Sequence, residues 1–384
     1  MTDVTLFERY VATMKQFQRF RILKSLVVFA GLLWLAGCAP SQPKVRFVWP
    51  PPPDVPRLEW VGVYYSEASF EKSDKQKLMA QIFGDAGEYT FKAPFGIASN
   101  GKGIVYISDI YDHNVRIYDF NRKKVEFLTK QPVMKTPLGL DVDNQGNLYI
   151  ADGGLGKVLV FSKDRRLSFA FGGNKEILIK PAYLKVNERL DRIYVSDPLE
   201  HKIVVFDMQG HHLFSFGTRG NGPGEFFSPQ GVAIDNKDRV FVADMLNARV
   251  QVFDAEGNYL YNFGERGDGV SQFENPKDLD FDSEGNLHVV DSRRSTLYTY
   301  RPDGTLLLAT GTGKATKHLM GFAAPKSVFI DTNDRIYVAE ALGKRFAVWQ
   351  FMSKAYLQRN PYTEADKKRW FDYMEKMAGE QKKP

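Results

Sequence analysis

Asp141 and Asp280 have the side-chain chemistry of a cation site, and both occupy one slot of a repeated sequence pattern. Carboxylate oxygens are the ligands that hard cations such as Ca²⁺ prefer, and Asp278 lies two residues before Asp280. Two observations oppose a metal ion. Lys185 fills the same slot in another copy of the pattern, and none of the six histidines lies on the strand that carries it. The simpler interpretation is a polar, water-filled channel.

A second set of candidate residues is cationic and lies in loops that should share one face of the protein, because alternate loops of an antiparallel sheet emerge at the same end. The set contains His113, His201, Lys202, Arg219, Arg249, Arg266, Arg293, Arg294, Lys344 and Arg345. Such a face suits an acidic protein or a glycan partner, with Phe226, Phe227 and Phe273 as aromatic anchors. Alternatively, the phenylalanines fill gaps between repeats and the charges are solvated surface.

The elements that position these residues are the strands of a sixfold repeat. Each copy starts with a proline, and an acid ends its second strand 15 or 16 residues later. The prolines, 43 to 49 residues apart, are Pro94, Pro137, Pro181, Pro229, Pro276 and Pro325. The acids are Asp109, Asp152, Asp197, Asp244, Asp291 and Glu340. Repeats of this length with several short strands are typical of β-propellers, so we predict an all-β, six-bladed propeller over residues 57–357.

Closure of the ring requires a fourth strand in the last blade, because an open ring would expose sheet edges. The segment Arg57-Leu58-Glu59-Trp60 matches the outer strands that begin at Arg166 and His212. We therefore predict that residues 57–65 complete the sixth blade. The acids that end the second strands are predicted to be structural, with each carboxylate accepting backbone N–H groups of the following turn.

The first 37 residues resemble a lipoprotein signal peptide. Basic residues precede the 13-residue apolar run 25–37, which is too short to span a bilayer. The run ends in Leu35-Ala36-Gly37-Cys38, which resembles a bacterial lipobox, and Cys38 is the single cysteine of the chain. Lipidation of Cys38 is the expected outcome, and Ala39 after it favours the outer membrane, with the propeller facing the periplasm or the outside. Either Met1 or Met14 is the start.

Three further segments are predicted. Residues 38–56 form a lipidated, proline-rich tether in an extended conformation, because Pro50–Pro53 favour polyproline geometry. Residues 74–84 form a helix. Residues 358–384 form a C-terminal helix and tail, with a Thr363/Asp366 cap and an apolar stripe at Trp370, Tyr373, Met374 and Met377. Both helices should pack on the propeller, with partner docking as the alternative.

The string PQGVAIDNKDRVFVADMLNARVQVFDAEGNYLYNFG, residues 229–264, resembles the NHL repeat, as does the preceding GNGPGEFFSP. This resemblance to bacterial NHL-repeat lipoproteins implies a six-bladed propeller. That fold serves both binding modules and enzymes. By resemblance, lactonases of this shape hold a metal with acid and amide ligands, and NHL-type amidating lyases use zinc with histidines. The present chain matches neither ligand set residue by residue.

Taken together, the sequence predicts a non-enzymatic, lipid-anchored binding or scaffold module of the cell envelope that holds one or more envelope proteins. No cofactor is expected. The alternative is a metal-dependent, lactonase-like hydrolase or lyase with calcium or zinc at Asp141 and Asp280. The formal net charge of +6 is a mild bias and gives no reason to expect nucleic acid.

Overall fold

The computed structural model describes residues 45–70, 90–311 and 321–380, which form six antiparallel sheets, or blades. Two strands precede the first blade, β1 (Val48–Trp49) and β2 (Leu58–Tyr64). Blade one contains β3 (Pro94–Ser99), β4 (Ile104–Asp109), β5 (Asn114–Asp119) and β6 (Lys124–Phe127). Blade two contains β7 (Pro137–Val142), β8 (Leu148–Asp152), β9 (Lys157–Phe161) and β10 (Leu167–Gly172). Blade three contains β11 (Leu184–Asn187), β12 (Arg192–Asp197), β13 (Lys202–Asp207) and β14 (His212–Phe216).

A short parallel ribbon, β15 (Thr218–Arg219) with β16 (Glu225–Phe226), lies between blades three and four. Blade four contains β17 (Pro229–Ile234), β18 (Val240–Asp244), β19 (Arg249–Phe253) and β20 (Tyr259–Phe263). Blade five contains β21 (Pro276–Phe281), β22 (Leu287–Asp291), β23 (Thr296–Tyr300) and β24 (Leu306–Gly311). Blade six contains β25 (Pro325–Ile330), β26 (Arg335–Glu340) and β27 (Arg345–Phe351), followed by helices α1 (Lys354–Arg359) and α2 (Glu364–Glu380).

The innermost strands β3, β7, β11, β17, β21 and β25 form a closed ring in which each contacts the next and β25 contacts β3. Apolar side chains of neighbouring blades fill the space between them; Val205 of blade three, for example, shares a cluster with Val232 of blade four. One blade alone would leave both of its faces exposed, so the ring is the stable unit. The six-bladed β-propeller predicted from the repeat is confirmed.

Glycine allows the inner strands to approach each other at the axis. A Cβ atom on Gly96 would lie 2.1 Å from the carbonyl oxygen of Leu138, and one on Gly139 would lie 2.7 Å from Tyr183 Cα. These contacts are with backbone atoms, so a side chain could enter only if a strand moved. The repeat therefore depends on small residues two positions after the proline in these blades.

The acid that ends each second strand joins two loops to its blade. Asp109 accepts the backbone N–H groups of Lys92 and Ala93 before the blade, and those of Tyr111 and Asp112 in the following turn. Asp152, Asp197 and Asp291 make the corresponding four bonds. All six acids have 0% exposure. The predicted contact with the following turn is confirmed for these four acids, and the contact to the preceding loop is an addition to it. Asp244 and Glu340 accept one N–H of the preceding loop, from Phe227 and Ala323, and a guanidinium N–H instead of the turn.

Strand β2 closes the ring. It pairs antiparallel with β27, with Leu58 opposite Phe351 and Tyr64 opposite Phe346, so the sixth sheet takes its outer strand from the N-terminal segment. This pairing confirms the closing strand predicted at residues 57–65. Leu58 is fully buried, and Arg345 donates a hydrogen bond to the Tyr65 hydroxyl just beyond the strand.

The predicted tether, residues 38–56, extends too far along the chain. Val48 and Trp49 form β1, which pairs with β2, and the Trp49 indole N–H donates to the Ala309 carbonyl at 3.0 Å. The proline run forms the turn between β1 and β2, with cis peptide bonds before Pro50 and Pro53. Tertiary contacts here override the extended preference of a proline run. A compact unit begins at Arg46.

The C-terminal helices also differ in part from the prediction. Thr363 and Asp366 form the predicted cap at the start of α2, and the Tyr373 ring contacts Phe47 at 5.2 Å. Met374 and Met377 are exposed, so only the first half of the predicted stripe packs. Helix α1 was not predicted. No helix in the described ranges is long and apolar enough to span a bilayer.

The helix predicted at residues 74–84, the signal peptide at 1–37 and Cys38 lie outside the described residues.

Candidate functional site

The loops between second and third strands and the loops between blades lie together at one end of the propeller, which we call the loop face. Direct backbone bonds join the two sets of loops. Ile110 N–H donates to the Ala93 carbonyl in blade one, and Ser292 N–H donates to the Asn275 carbonyl in blade five. This is the common face that the antiparallel strand order predicted.

Three of the predicted partner-binding cations are structural instead. Arg345 is fully buried and donates to Glu340 Oε2 at 3.0 Å and to the Gly321 carbonyl at 2.7 Å. Arg249 Nε donates to Asp244 Oδ2 at 2.9 Å, and its Nη2 donates to two loop carbonyls. Arg294 donates to the carbonyls of residues 267 and 268. Each guanidinium bonds the preceding inter-blade loop to its own blade. The prediction that these three arginines bind a partner is therefore wrong.

Five of the remaining predicted residues are exposed on the loop face, and two are half-buried. The exposed residues are His113, Arg219, Arg266, Arg293 and Lys344, and the half-buried residues are His201 and Lys202. The side chain of Arg293 is 75% exposed, with one loose contact of 3.4 Å to Glu274. An exposed cation of this kind keeps its charge available for a partner.

The sequence analysis missed a set of exposed apolar side chains on the same face. They lie two or three residues after the buried acid in five of the six blades: Tyr111, Leu155, Leu199, Leu246 and Leu342, which are 68%, 40%, 56%, 43% and 66% exposed. In blade five the corresponding residue is Arg293. We call the five apolar residues the apolar ring, and Arg293 occupies the sixth position. The apolar residue two or three positions after five of the six acids was a signal that the sequence carried.

The predicted aromatic anchors separate into two kinds. Phe226 and Phe273 are fully buried and fill space between blades, as the alternative interpretation held. Phe227 is 37% exposed and lies 5.5 Å from the His201 ring and 5.6 Å from the Arg219 guanidinium. It adds one aromatic group to the loop face.

At the axis, the structure brings Asp141 and Asp280 to the same lysine. Lys185 Nζ lies 2.9 Å from Asp280 Oδ1 and 3.9 Å from Asp141 Oδ1. The other oxygen of each carboxylate accepts a backbone N–H, from Val186 and from Ile330, both at 2.8 Å. Burial works against the charge of Lys185, but the two carboxylates together raise its pKa above the ordinary value.

The axial acids are therefore satisfied without a metal ion. Within the described residues, no group of three or more His, Cys, Asp or Glu side chains is arranged to hold one. The ammonium of Lys185 occupies the space between the carboxylates, where a divalent cation would be repelled. These residues do not fit the calcium or zinc ion of the enzyme alternative.

Asp278 is the third axial acid. Its Oδ2 accepts the Ser327 hydroxyl at 2.5 Å and the Val328 N–H at 3.1 Å, and its Oδ1 accepts the Leu279 N–H at 3.0 Å. Burial raises the pKa of Asp278 to about 7, because removal from water disfavours the charged form more than these bonds favour it.

The fold, its axis and its loop face define a six-bladed β-propeller protein whose axial acids Asp141 and Asp280 are paired with a lysine and whose apolar and cationic groups are displayed on the loop face. A family model described as a six-bladed β-propeller, DUF5128, matches residues 172–240 and 235–310. A search of curated proteins gives no match.

Solved propellers resemble the chain at low sequence identity. A protein of unknown function from Bacteroides thetaiotaomicron is 19% identical, with a TM-score of 0.59 over 77% of this chain and 75% of that one. A gluconolactonase from Xanthomonas campestris is 16% identical, with a TM-score of 0.53 over 68% and 86%. An auxiliary nutrient binding protein from B. thetaiotaomicron is 9% identical, with a TM-score of 0.54 over 68% and 70%. At these identities the likeness concerns the fold alone.

Proposed function

We propose that this protein is a non-enzymatic binding or scaffold module of the cell envelope that holds an acidic protein partner on its loop face. The observation that carries the proposal is the apolar ring, which lies among exposed cations at one end of the molecule. Scattered exposed leucines are ordinary on protein surfaces. One exposed apolar side chain in the same turn of five blades is an organised surface.

The chemistry of this surface suits a protein. Leucine and tyrosine side chains bury apolar area against a partner, and surrounding cations select an acidic one and speed its approach. Arg293 continues the ring with a charge where the other blades have an apolar group. Phe227, between Arg219 and His201, provides an aromatic contact of the kind enriched at interfaces.

The sequence supports an anchored location for this module. The lipobox-like segment 35–38 and the single cysteine, Cys38, favour acylation, and Ala39 favours the outer membrane. We propose that the lipid on Cys38 attaches the propeller to the envelope, with the described propeller on the periplasmic or outer side. The enzyme alternative receives no support from the axial residues, because the Lys185 ammonium already pairs with Asp280 and lies 3.9 Å from Asp141.

The test compares two leucines of blade four. Leu246, in the apolar ring, is 43% exposed, and Leu260, on the outer strand, is 45% exposed. The full-length chain carrying Leu246→Asp or Leu260→Asp is expressed in its native envelope and cross-linked, and the acidic protein captured by the wild type is quantified. We expect Leu246→Asp to reduce that capture at least about tenfold, or ~1.4 kcal/mol, and Leu260→Asp to leave it unchanged.

Charge provides the second arm of the same experiment. Arg293→Glu should weaken capture, most strongly at low salt, while Lys237→Glu, at an exposed turn that joins the first two strands of blade four, should not. Thermal melting of each purified variant checks that the fold is intact. The loop-face proposal would be refuted if Leu246→Asp and Leu260→Asp reduced capture equally. It would also be refuted if Leu246→Asp left capture unchanged, or if Arg293→Glu did.

A further inference from the structure

Two lysines lie side by side where the central channel opens on the loop face. The residue that follows each inner-strand proline marks this level, and we call these six residues the channel mouth: Phe95, Leu138, Ala182, Gln230, Lys277 and Lys326. Lys277 and Lys326 come from the adjacent strands β21 and β25, and their charges act on each other. The opposite half of the mouth is apolar.

The two ammonium groups have only neutral neighbours within hydrogen-bond reach. Lys277 Nζ contacts Met245 Sδ and lies 3.5 Å from Gln230 Oε1, while Lys326 Nζ lies 3.5 Å from Ser292 Oγ. In the part of the chain that the structure describes, neither ammonium forms an ion pair with a carboxylate. Asp291 attracts Lys277 from a distance, but that carboxylate already accepts four backbone N–H groups.

The two ammonium groups lack a nearby counter-charge among the described residues. Burial, followed by the charge of Lys326, lowers the pKa of Lys277 to about 8, and burial also lowers the pKa of Lys326. Partly buried charges in proteins normally have a counter-charge. An anion placed between the two amines would supply one and would restore the charged form of both.

The apolar half of the channel mouth indicates which chemical group the bound anion should carry. Tyr183 extends from blade three across the axis, and its hydroxyl donates to the Lys326 carbonyl at 2.6 Å. The Tyr183 ring contacts Phe95 at 5.3 Å and belongs to an apolar cluster with Leu138 and Ala182. This tyrosine is 2% exposed and forms a floor that links the apolar side to the lysine side.

We propose that the channel mouth binds an organic carboxylate with an apolar body, the carboxylate between Lys277 and Lys326 and the body against Phe95 and Leu138. This site goes beyond the loop-face proposal and does not depend on it. The same chemistry is offered by a small free acid and by the C-terminal residue of a peptide that ends in an apolar side chain.

The experiment is calorimetric titration of the full-length protein in a non-ionic detergent. The probes are 3-phenylpropionate, its uncharged amide, inorganic phosphate, and a Gly-Gly-Phe peptide with a free or an amidated C-terminus. We expect saturable binding of the carboxylates and at least about tenfold weaker binding of the amides and of phosphate. Tighter binding of the free-acid peptide than of 3-phenylpropionate identifies a chain terminus as the ligand, and the reverse identifies a small molecule.

Variants locate the site. Lys277→Met and Lys326→Met should each weaken 3-phenylpropionate binding at least about tenfold, and Lys237→Met, an exposed lysine away from the mouth, should leave it unchanged. Equal binding of 3-phenylpropionate and its amide, or full affinity in both mouth variants, would overturn the proposal.

A measurement on the wild-type chain keeps the test decisive if a variant fails to fold. The lysines are labelled by reductive ¹³C-methylation, and the resonance with the lowest titration midpoint is followed by NMR. Addition of 3-phenylpropionate should move that midpoint upward, because a bound anion favours the charged amine. An unchanged midpoint at saturating 3-phenylpropionate, or an unsaturable titration, counts against the site.

Discussion

The axial lysine provides the strongest test of the electrostatic account of the channel. We expect Lys185→Met to destabilise the propeller while preserving its shape. The methionine replaces the aliphatic part of the lysine at nearly constant volume. It also removes the ammonium that lies 5.2 Å from the Phe329 ring centroid. What the substitution removes is the positive charge between Asp141 and Asp280.

The size of the effect follows from the burial of the two carboxylates. Asp141 and Asp280 are 4% and 5% exposed, so loss of the ammonium leaves two buried negative charges without a counter-charge. Breaking a buried ion pair by removing one partner costs about 3–5 kcal/mol. In a chain of this size that corresponds to a fall in melting temperature of roughly 5–10 °C.

The assay is unfolding by guanidinium chloride and by heat, followed by circular dichroism, at about pH 8 and about pH 5. Burial already raises the pKa of Asp141 above that of an exposed aspartate. Without Lys185, protonation removes the uncompensated charge, so the loss of stability should be largest at the higher pH and shrink at the lower one.

Two controls separate charge from packing. Lys237→Met removes an exposed lysine and should change stability by less than about 0.5 kcal/mol. Lys185→Met combined with Asp280→Asn should recover part of the lost stability, because one of the stranded charges is gone. If Lys185→Met were as stable as the wild type at about pH 8, or if its loss of stability did not depend on pH, the axial salt bridge would not stabilise the propeller.

Two further predictions concern the closing strand and the third axial acid. Leu58→Ala should lower the free energy of unfolding by about 2–5 kcal/mol because Leu58 is fully buried in the sixth blade. Leu260→Ala, at an exposed site, should lower it by less than about 0.5 kcal/mol. Equal losses of stability in denaturant unfolding would contradict closure of the ring by β2. The pKa of Asp278, about 7, lies above that of an unfolded aspartate, so this group favours folding at low pH and loses that contribution as the pH rises through about 7. The stability of Asp278→Asn relative to the wild type should therefore improve between about pH 4 and about pH 8, by at most about 4 kcal/mol; a difference that is flat with pH would refute the assignment.

The architecture was predictable from the sequence because the same structural residues recur at the same positions in all six repeats. A proline that starts each inner strand and an acid 15 or 16 residues later define a blade without reference to any other blade. The closing strand was predictable for a related reason, since residues 57–60 resemble the outer strands of other blades. The predicted length of the tether was wrong because tertiary contacts outweigh the local preference of the proline run: Trp49 and its strand pack on the last two blades.

The site was only partly predictable. Alignment of the six repeats placed Asp141, Lys185 and Asp280 in one slot, but the reach of the lysine to both acids depends on three-dimensional geometry. For the same reason, Arg249 and Arg345 looked like surface charges: their long side chains fold back onto loop carbonyls that are distant in sequence. The channel-mouth lysines and the apolar ring were visible as repeated slots, at the residue after each proline and in the turn after each acid.

The pairing of β2 with β27 has a consequence for how the chain acquires its structure. Leu58 leaves the ribosome long before its partner Phe351, so β2 has no strand to pair with until β27 has been synthesised. Contacts between such distant segments form slowly, and the waiting strand edges are prone to aggregation. The nascent polypeptide therefore needs protection until β27 has been translated, and a chain truncated before β27 could not close the ring.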